Sequence, residues 1–280
     1  VEPETMLGQH IHCVPRLKTA PVILDRDVRL HFHSRGSISN LFLEPQAPLS
    51  KAKHEALLRI GAIGLNFRDV LNVLGEYPGD PGPPGADAAG YIACGAQVPS
   101  TLGMGEAVVG LAHAPMACLA RASASLIVKR PALLAPEQAC TLPVTWNTTH
   151  VAVERMGLHA GCIMVMQAAA GGVGLKAAEY AQWLCAPFLG TAGRPHKHAQ
   201  LRAIDVCGLC SSREGSAFGV GVASLITGRR SSAVLNSLSL DFISLSFASL
   251  GEGGAFKEIG KRGIWASSRH AVCAPMNAYC

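Results

Sequence analysis

The chain has 280 residues, of which 15% are charged and 49% are hydrophobic, with a net charge of +5 and a mean hydropathy of +0.27. This length suggests two domains, and so apolar a composition excludes a disordered chain. A nucleic-acid-binding surface would place aromatic side chains among clustered Lys and Arg. Here the basic residues are dispersed and aromatic residues make up only 5%, so nucleic-acid binding is not expected.

In chain order, the first elements are short and β-rich. Alternation of apolar and polar residues predicts strands over 28–33, around 41–43 and over 55–63. Prolines and glycines crowd residues 77–90 and predict a loop there. Further short strands are expected to about residue 128.

Beyond about Thr141 the pattern changes to strands that alternate with helices. Apolar runs predict strands at 162–166, 188–191, 233–236 and 255–259. Helices are expected at 175–185, after residue 191 and at 240–250. This alternation predicts a parallel sheet with helices on both faces. The expected class is therefore α/β, with a β-rich domain followed by a doubly wound Rossmann domain.

The longest uncharged stretch runs from Met156 to Leu175, which is long enough to span a bilayer as a helix. It also contains several glycines and the polar residues His159 and Gln167. Glycine lowers helix propensity, and polar side chains oppose transfer into lipid. We therefore predict a buried strand with a glycine turn here, and no membrane span.

The start of the chain and its cysteines indicate its cellular compartment and whether it is a fragment. Val1 is followed by acidic residues rather than by a secretory signal, and the missing initiator Met leads us to expect a fragment of a longer protein. Cys207 and Cys210 form a close pair, but the second ligand pair of a structural zinc site is missing. Reduced thiols in a cytoplasmic protein are expected.

A glycine-rich segment, Ala168–Gly174, follows a predicted strand and opens a predicted helix, as a dinucleotide-binding fingerprint does. A helix start offers unpaired amides and partial positive charge to a pyrophosphate. Ala169 stands in the place of the first glycine. The predicted cofactor-binding residues of this turn are Ala169, Ala170, Gly171, Gly172, Val173 and Gly174. The alternative is a tight strand-to-helix turn without a ligand.

The end of the next strand indicates which dinucleotide is bound. An NAD site places an acidic residue about twenty residues downstream of the fingerprint, but residues 191–204 contain no carboxylate. Instead Arg194 and Lys197 lie in the densest cationic cluster of the chain, and both suit a 2′-phosphate. The sequence therefore predicts NADPH; the alternative is a solvated start of a helix.

Several motifs occur in one order along the chain and point to a family. They are GLNFRDVL at 64–71, GEYPGD at 75–80, the fingerprint at 168–174, VLNSL at 234–238 and EIGK at 258–261. With them the chain resembles the enoyl reductase domain of a polyketide synthase, which is related to that of animal fatty acid synthase. These domains belong to the zinc-free, quinone-oxidoreductase-like branch of the medium-chain dehydrogenases and reductases.

The resemblance implies an architecture and a reaction. A GroES-like catalytic domain is expected over 1–140 and a Rossmann NADPH domain over 141–265. Residues 266–280 would begin the return to the catalytic domain. Family members transfer a hydride from NADPH to the β-carbon of a trans-2-enoyl thioester on an acyl carrier protein, and the α-carbon is then protonated. The implied partners are the carrier protein and neighbouring synthase domains, and the parent synthase allows a homodimer.

The resemblance also implies site residues. Lys261 matches the lysine that could donate the α-proton or stabilise an enolate, and Tyr77 matches a tyrosine associated with the face of protonation. Asn66 is expected at the nicotinamide end of the cleft, and Asn236 and Gly260 are expected to bind cofactor. The alternative for Lys261 is an exposed lysine at the end of a strand. The alternative for Tyr77 is a loop aromatic residue that packs on the neighbouring prolines.

The neighbours of Asn66 are open to two interpretations. Arg68 and Asp69 could help to shape the nicotinamide end of the cleft. Asp69 could equally be a structural partner of Arg68.

Zinc catalysis is not expected. Zinc-dependent relatives have a His-Glu pair in the segment that corresponds to residues 85–87, and here that segment reads Gly-Ala-Asp. The Cys that they need ahead of it is missing as well, because no Cys lies between Cys13 and Cys94. His54 and Glu55 begin like a metalloprotease motif, but the second His would fall on Leu58.

Departures from the family pattern leave other functions open. Family chains extend further beyond the lysine and supply an Asp thought to pair with it, whereas this chain stops at Cys280. One alternative is a stand-alone zinc-free quinone or enone reductase. Another is a truncated NADPH-binding segment with a structural role in a synthase.

Overall fold

The structure is a computed structural model. It describes residues 6–7, 12–13, 26–50, 52, 54–94, 102–239, 241–261 and 263–279. The strands of its first part are β1 (Met6–Leu7), β2 (His12–Cys13), β3 (Val28–Phe32), β4 (Leu41–Pro45), β5 (Glu55–Gly64), β6 (Asp87–Cys94), β7 (Ala107–Leu111), β8 (Leu119–Ser123) and β9 (Ile127–Lys129). Its α-helices are α1 (Phe67–Leu74) and α2 (Pro136–Ala139), and short 3-10 helices lie at Ile38–Asn40 and Ala124–Leu126.

An antiparallel sheet in the order β8-β5-β6-β7-β9 forms the body of this first part. Its core contains the fully buried side chains of Leu58, Ile92 and Val108. β5 buries alternate residues at its start, as a half-buried strand should. The hairpin of β3 and β4 forms a separate antiparallel pair. The strands predicted at 28–33, 41–43 and 55–63 are confirmed.

α1 lies between the two longest strands of this part and was not predicted. It starts after Asn66 and ends at Gly75, whose φ of +73° is a left-handed conformation that favours glycine. The loop predicted over 77–90 is four residues too long, because β6 already begins at Asp87. The prolines and glycines lie before that strand.

The second part is a Rossmann domain. Its elements in chain order are α3 (Pro143–Met156), β10 (Met164–Met166), α4 (Gly172–Trp183), β11 (Phe188–Ala192), α5 (Pro195–Arg202), β12 (Gly208–Ser211), α6 (Gly215–Ile226), β13 (Ser231–Asn236), α7 (Asp241–Ser249), β14 (Leu250–Glu258), α8 (Ser267–Cys273) and β15 (Ala278–Tyr279). The strands pair in parallel in the order β12-β11-β10-β13-β14-β15. The α/β class with a β-rich and a doubly wound part is confirmed.

The sheet of this domain is buried on both faces. On one face Met164, Met166 and Leu235 pack with residues of α3 and α4. On the other face Val165, Val234 and further residues pack with α6 and α7. Strands covered on both faces are expected to be apolar throughout. This explains why the chain has so few charges around residue 165.

The long uncharged stretch is divided among several elements. It includes the end of α3, β10, the following turn and the start of α4. Among the described residues, no helix is both long and apolar enough to cross a membrane.

Where the structure describes them, residues 266–279 lie on the Rossmann domain, and the expected return to the catalytic domain stays a prediction. Ala274, directly after α8, packs in the Rossmann core, and Ala278–Tyr279 pair with β14 as the sixth parallel strand. Tyr279 contacts the rings of Phe247 and Phe256 at centroid distances of 5.8 and 5.7 Å. The described part of this segment therefore extends the parallel sheet of the Rossmann domain by one strand.

Candidate functional site

The turn between β10 and α4 contains the six residues predicted to contact a pyrophosphate, namely Ala169, Ala170, Gly171, Gly172, Val173 and Gly174. Ala168 precedes them in a left-handed conformation with a φ of +49°. A Cβ at Gly174 would lie 2.5 Å from the carbonyl oxygen of Ala169, so only glycine lets the helix start lie this close to the strand. The amides of the first helical turn have no acceptor inside the helix. The turn therefore presents unpaired donors at a helix start.

A network of buried polar side chains hydrogen-bonds to the backbone of this turn. The Ala168 amide donates to the Thr191 hydroxyl oxygen over 2.9 Å, and that hydroxyl donates to Gln167 Oε1 over 3.0 Å. The side-chain nitrogen of Gln167 donates to the Ser246 hydroxyl over 3.1 Å. All three polar side chains are buried. Sequence reasoning missed the network, although polar residues in otherwise apolar strands were a usable signal.

Basic side chains line part of a pocket of about 310 Å³ at the end of β11. Arg194 precedes α5 and lines the pocket together with His198 and Arg202. Lys197 lies in the first turn of α5 but does not line it. Arg213, which sequence reasoning missed, follows β12 and reaches the same place, because a Cβ at Gly193 would lie 2.5 Å from its Nε.

The ends of β13 and β14 bring Asn236, Gly260 and Lys261 together around Glu258. The Asn236 side-chain nitrogen donates to Glu258 Oε2 over 2.8 Å, and the Gly260 amide donates to Oε1 over 2.6 Å. Burial raises the pKa of Glu258, while these hydrogen bonds and the charge of Lys261 oppose the rise. Lys261 itself is exposed. Glu258 was not predicted and holds the backbone that leads into Lys261.

Asn236 also has an unused acceptor. Its side chain is fully buried, and its nitrogen donates to the Leu238 carbonyl over 2.6 Å as well as to Glu258. Its Oδ1 atom is buried and has no hydrogen-bond partner. A buried acceptor without a donor is costly. A donor from a bound molecule would remove this cost.

Two buried carboxylates hold Asn66 at the start of α1. The Asn66 backbone amide donates to Asp69 Oδ2 and its side-chain nitrogen donates to Asp87 Oδ2, both over 2.9 Å. Asp69 also accepts from the Gly85 amide over 2.7 Å. Arg68 instead donates to the Pro81 carbonyl. The interpretation of Asp69 as a partner of Arg68 is therefore wrong, because Asp69 caps the helix.

Asp87 connects this cluster to the Rossmann domain. Its Oδ1 accepts from the amide of Val144 in the first turn of α3 over 2.9 Å. Asp87 is 1% exposed, and burial raises its pKa to about 6. Hydrogen bonds from Asn66 and Val144 act in the opposite direction, and the charge of Asp69 adds to the rise. Sequence reasoning considered this position only as a zinc-binding segment.

Tyr77 follows α1 and is half-buried. Its backbone amide donates to the Leu71 carbonyl over 3.2 Å. Within the described residues its side chain makes no hydrogen bond and no ring contact. The structure therefore brings Tyr77 into no bonded contact with Lys261, and the roles of both residues remain predictions.

The described residues contain no cluster of three or more His, Cys, Asp or Glu side chains that could hold a metal ion. In the Cys207–Cys210 pair, Cys207 is exposed and Cys210 is buried. Burial raises the pKa of the Cys210 thiol to about 11. That thiol is protonated at neutral pH and is a poor metal ligand.

Comparison with protein-family models gives no match. Among curated proteins, the chain is 34% identical over 231 residues to erythronolide synthase EryA2 of Saccharopolyspora erythraea. The alignment covers 81% of this chain but only 6% of EryA2. The chain therefore spans a small part of this relative.

Two solved structures share the fold. The CurK enoyl reductase is 30% identical with a TM-score of 0.84, and the alignment covers 91% of this chain and 80% of CurK. A quinone oxidoreductase of Escherichia coli in complex with NADPH is 23% identical with a TM-score of 0.80, over 90% of this chain and 80% of the enzyme. The chain thus belongs to the enoyl reductase domains of polyketide synthases, in the zinc-free, quinone-oxidoreductase-like branch of the medium-chain dehydrogenases and reductases.

Proposed function

We propose that this domain is an NADPH-dependent enoyl reductase that saturates a trans-2-enoyl thioester on an acyl carrier protein of a polyketide synthase. The observation that carries the proposal is the cradle at the start of α4, where a Cβ at Gly174 would overlap Ala169. Such a close helix start is what a dinucleotide pyrophosphate requires. The predicted site residues of the Rossmann domain lie at the same carboxyl edge of the parallel sheet, whereas Asn66 and Tyr77 belong to the β-rich part.

The residues at the end of β11 fit NADPH better than NADH. Arg194, Arg202 and Arg213 surround this position, while the acidic residue that would bind ribose hydroxyls is missing. Arginine forks match phosphate oxygens in geometry and charge. We assign the 2′-phosphate to Arg194 and Arg213, with Lys197 as a nearby mobile charge.

NADPH, when bound, supplies the hydride that reduces the β-carbon of the enoyl thioester. Asn66 and Asn236 hold the nicotinamide end, and the unpaired Oδ1 of Asn236 accepts a hydrogen bond there. Lys261, exposed beside Glu258, delivers the α-proton or steadies negative charge on the thioester oxygen. Tyr77 contributes to the face of protonation.

The partners follow from the family. Relatives such as EryA2 are much longer than this chain, so we propose that neighbouring synthase domains flank it and that a carrier protein delivers the substrate. A homodimer would form through the parent synthase. The cytoplasm is the proposed location.

The test combines binding and turnover. NADPH and NADH are titrated by nicotinamide fluorescence, and turnover is followed with crotonyl thioester by nicotinamide absorbance. We expect NADPH to bind at least tenfold more tightly. Lys261→Ala should lower kcat by about 10²- to 10⁴-fold, whereas Lys129→Ala, at a surface ion pair with Glu106, should leave it unchanged.

Three results would contradict the proposal. Equal binding of the two cofactors overturns the assignment of NADPH. Faster turnover of quinones than of thioesters overturns the substrate class. Tight NADPH binding without any turnover indicates a structural segment.

A further inference from the structure

Asp87 is a buried charge without a cation. It is 1% exposed, and among the described residues no Lys, Arg or His side chain forms an ion pair with it. Buried carboxylates are expected to be paired with a cation or bound to a metal. Asp87 instead uses its two oxygens to accept from two uncharged donors on different elements.

These donors place Asp87 where three elements meet. Asp87 is the first residue of β6, Asn66 directly precedes α1, and Val144 lies in the first turn of α3. The amides at the start of a helix need acceptors and favour negative charge. One oxygen thus satisfies α3 of the Rossmann domain, and the other oxygen is left for the Asn66 side chain.

Within the part of the chain that the structure describes, only the nitrogen of the Asn66 side-chain amide is hydrogen-bonded. Its nitrogen donates to Asp87 Oδ2 over 2.9 Å, whereas its oxygen has no hydrogen-bond partner among the described residues. Asn66 is half-buried, and its oxygen is not among the buried, unpartnered side-chain atoms of the described residues, so it is open to bound molecules. An asparagine amide can present either its oxygen or its nitrogen, and the partner decides which. An ionised carboxylate can only accept, so it fixes the nitrogen inward and the oxygen outward.

We propose that Asp87 is a positioning residue, whose carboxylate orients Asn66 so that the amide oxygen faces the cofactor cleft. The proposal rests on the proposed function, which places Asn66 at the nicotinamide end. The outward oxygen would accept from the donors of the carboxamide or ribose. Asp87 itself touches neither cofactor nor substrate.

Substitutions can reverse which atom of the Asn66 side-chain amide, the oxygen or the nitrogen, faces away from residue 87. In Asp87→Asn, the new side chain keeps an oxygen for Val144 and turns an NH₂ group toward Asn66. Asn66 must then flip and present a donor outward. In the double variant Asn66→Asp/Asp87→Asn, the inward NH₂ group meets a carboxylate, and the outward atom is again an oxygen. The carboxylate has only moved from one side of the hydrogen bond to the other.

The first experiment measures NADPH affinity, kcat with crotonyl thioester and the midpoint of thermal unfolding. Asp87→Asn should weaken NADPH binding by tenfold or more at pH 7.5 without lowering the midpoint. The double variant should recover binding to within about threefold of the wild type. Asp27→Asn, at an exposed carboxylate 3.5 Å from Arg59, is the matched control and should change neither quantity.

Two results overturn the proposal. The first is unchanged NADPH affinity in Asp87→Asn. The second is a double variant that binds no better than Asp87→Asn, because a purely structural role predicts that two changes are worse than one.

A second experiment does not depend on NADPH. With ¹⁵N-asparagine labelling, the side-chain amide signal of Asn66, assigned by its loss in Asn66→Asp, should shift with a midpoint near pH 6, where Asp87 titrates. The shift should vanish in Asp87→Asn. Asp69 on α1 and Cys140 after α2 also face Asp87; burial raises the pKa of Cys140, so its thiol stays protonated across this range.

The two experiments separate the two proposals. A signal without this titration overturns the positioning role, whatever binds. A titrating signal in a protein that binds no NADPH supports the Asp87–Asn66 hydrogen bond and overturns the proposed function instead.

Discussion

Gly174 is the residue on which the nucleotide cradle depends most directly. In Gly174→Ala, the added Cβ would lie 2.5 Å from the Ala169 oxygen and 2.6 Å from its Cα. An ordinary carbon–oxygen contact is about 3.3 Å, so the start of α4 would have to move by about 0.8 Å. Overpacking of this kind costs about 1–3 kcal/mol. If that cost falls on the cofactor-bound state, the Kd for NADPH rises about fivefold to 150-fold.

The assay is a fluorescence titration with NADPH, combined with thermal unfolding of the free protein. Gly61→Ala in β5 is the control, because its Cβ would meet only the Ala89 oxygen of β6, at 3.6 Å. We expect this control to bind NADPH as the wild type does. Wild-type affinity in Gly174→Ala would refute the reasoning, since it would mean that the helix start is not held against the strand.

Three other predictions follow from buried or charged side chains near the cradle. Thr191→Val leaves Gln167 Oε1 and the Ala168 amide without hydrogen-bond partners, so the free energy of unfolding in urea should fall by about 1–3 kcal/mol. Thr191→Ser keeps the hydroxyl and should retain most of the wild-type free energy of unfolding. Arg213→Ala should raise the Kd for NADPH about tenfold or more and leave that for NADH unchanged, since only the 2′-phosphate contact is lost; equal losses would contradict the assignment. Asp87 keeps its proton to about pH 6, whereas an unfolded Asp releases it near pH 3.9. The folded state therefore binds more protons between these values, and stability falls as pH rises through them by on the order of 3 kcal/mol. Since Glu258 shifts in the same direction, the slope is read as the difference between the wild type and Asp87→Asn, and an identical slope in both would contradict it.

The nucleotide turn could be predicted because its signals are local. Buried parallel strands are short apolar runs, and the turn after β10 needs glycine where a helix approaches a strand. α3 was missed for the opposite reason. Its sequence, PVTWNTTHVAVERM, mixes β-branched and polar residues, which weakens the helical pattern. Packing on α4 and the acceptor provided by Asp87 stabilise this helix, and neither is visible along the chain.

The site residues divide in the same way. Arg194 follows the fingerprint at the expected distance and lines the pocket, so sequence spacing could find it, whereas Lys197, chosen by the same spacing, does not line the pocket. Arg213 follows a different strand and reaches the same pocket only because β12 lies beside β11 in the sheet. The last strand, Ala278–Tyr279, is only two residues long, and its membership of the parallel sheet depends on pairing with β14. Strand order therefore had to be known before either could be assigned.

Asp87 departs from the rule that a buried carboxylate is paired with a cation, and this departure identifies it as a candidate functional residue. A buried carboxylate with raised pKa lowers the stability of the folded state at neutral pH, and its neutral isostere would fit the same space. Val144 alone would be satisfied by either side chain, because both offer an oxygen. Only the Asn66 amide distinguishes them, since a carboxylate holds its nitrogen inward and an amide would turn it around. Sequences that depart from local consistency are expected to do so where function requires it. The energetic cost of ionised Asp87 and the orientation of Asn66 are thus two aspects of one arrangement, and a variant that gains stability there should lose cofactor binding.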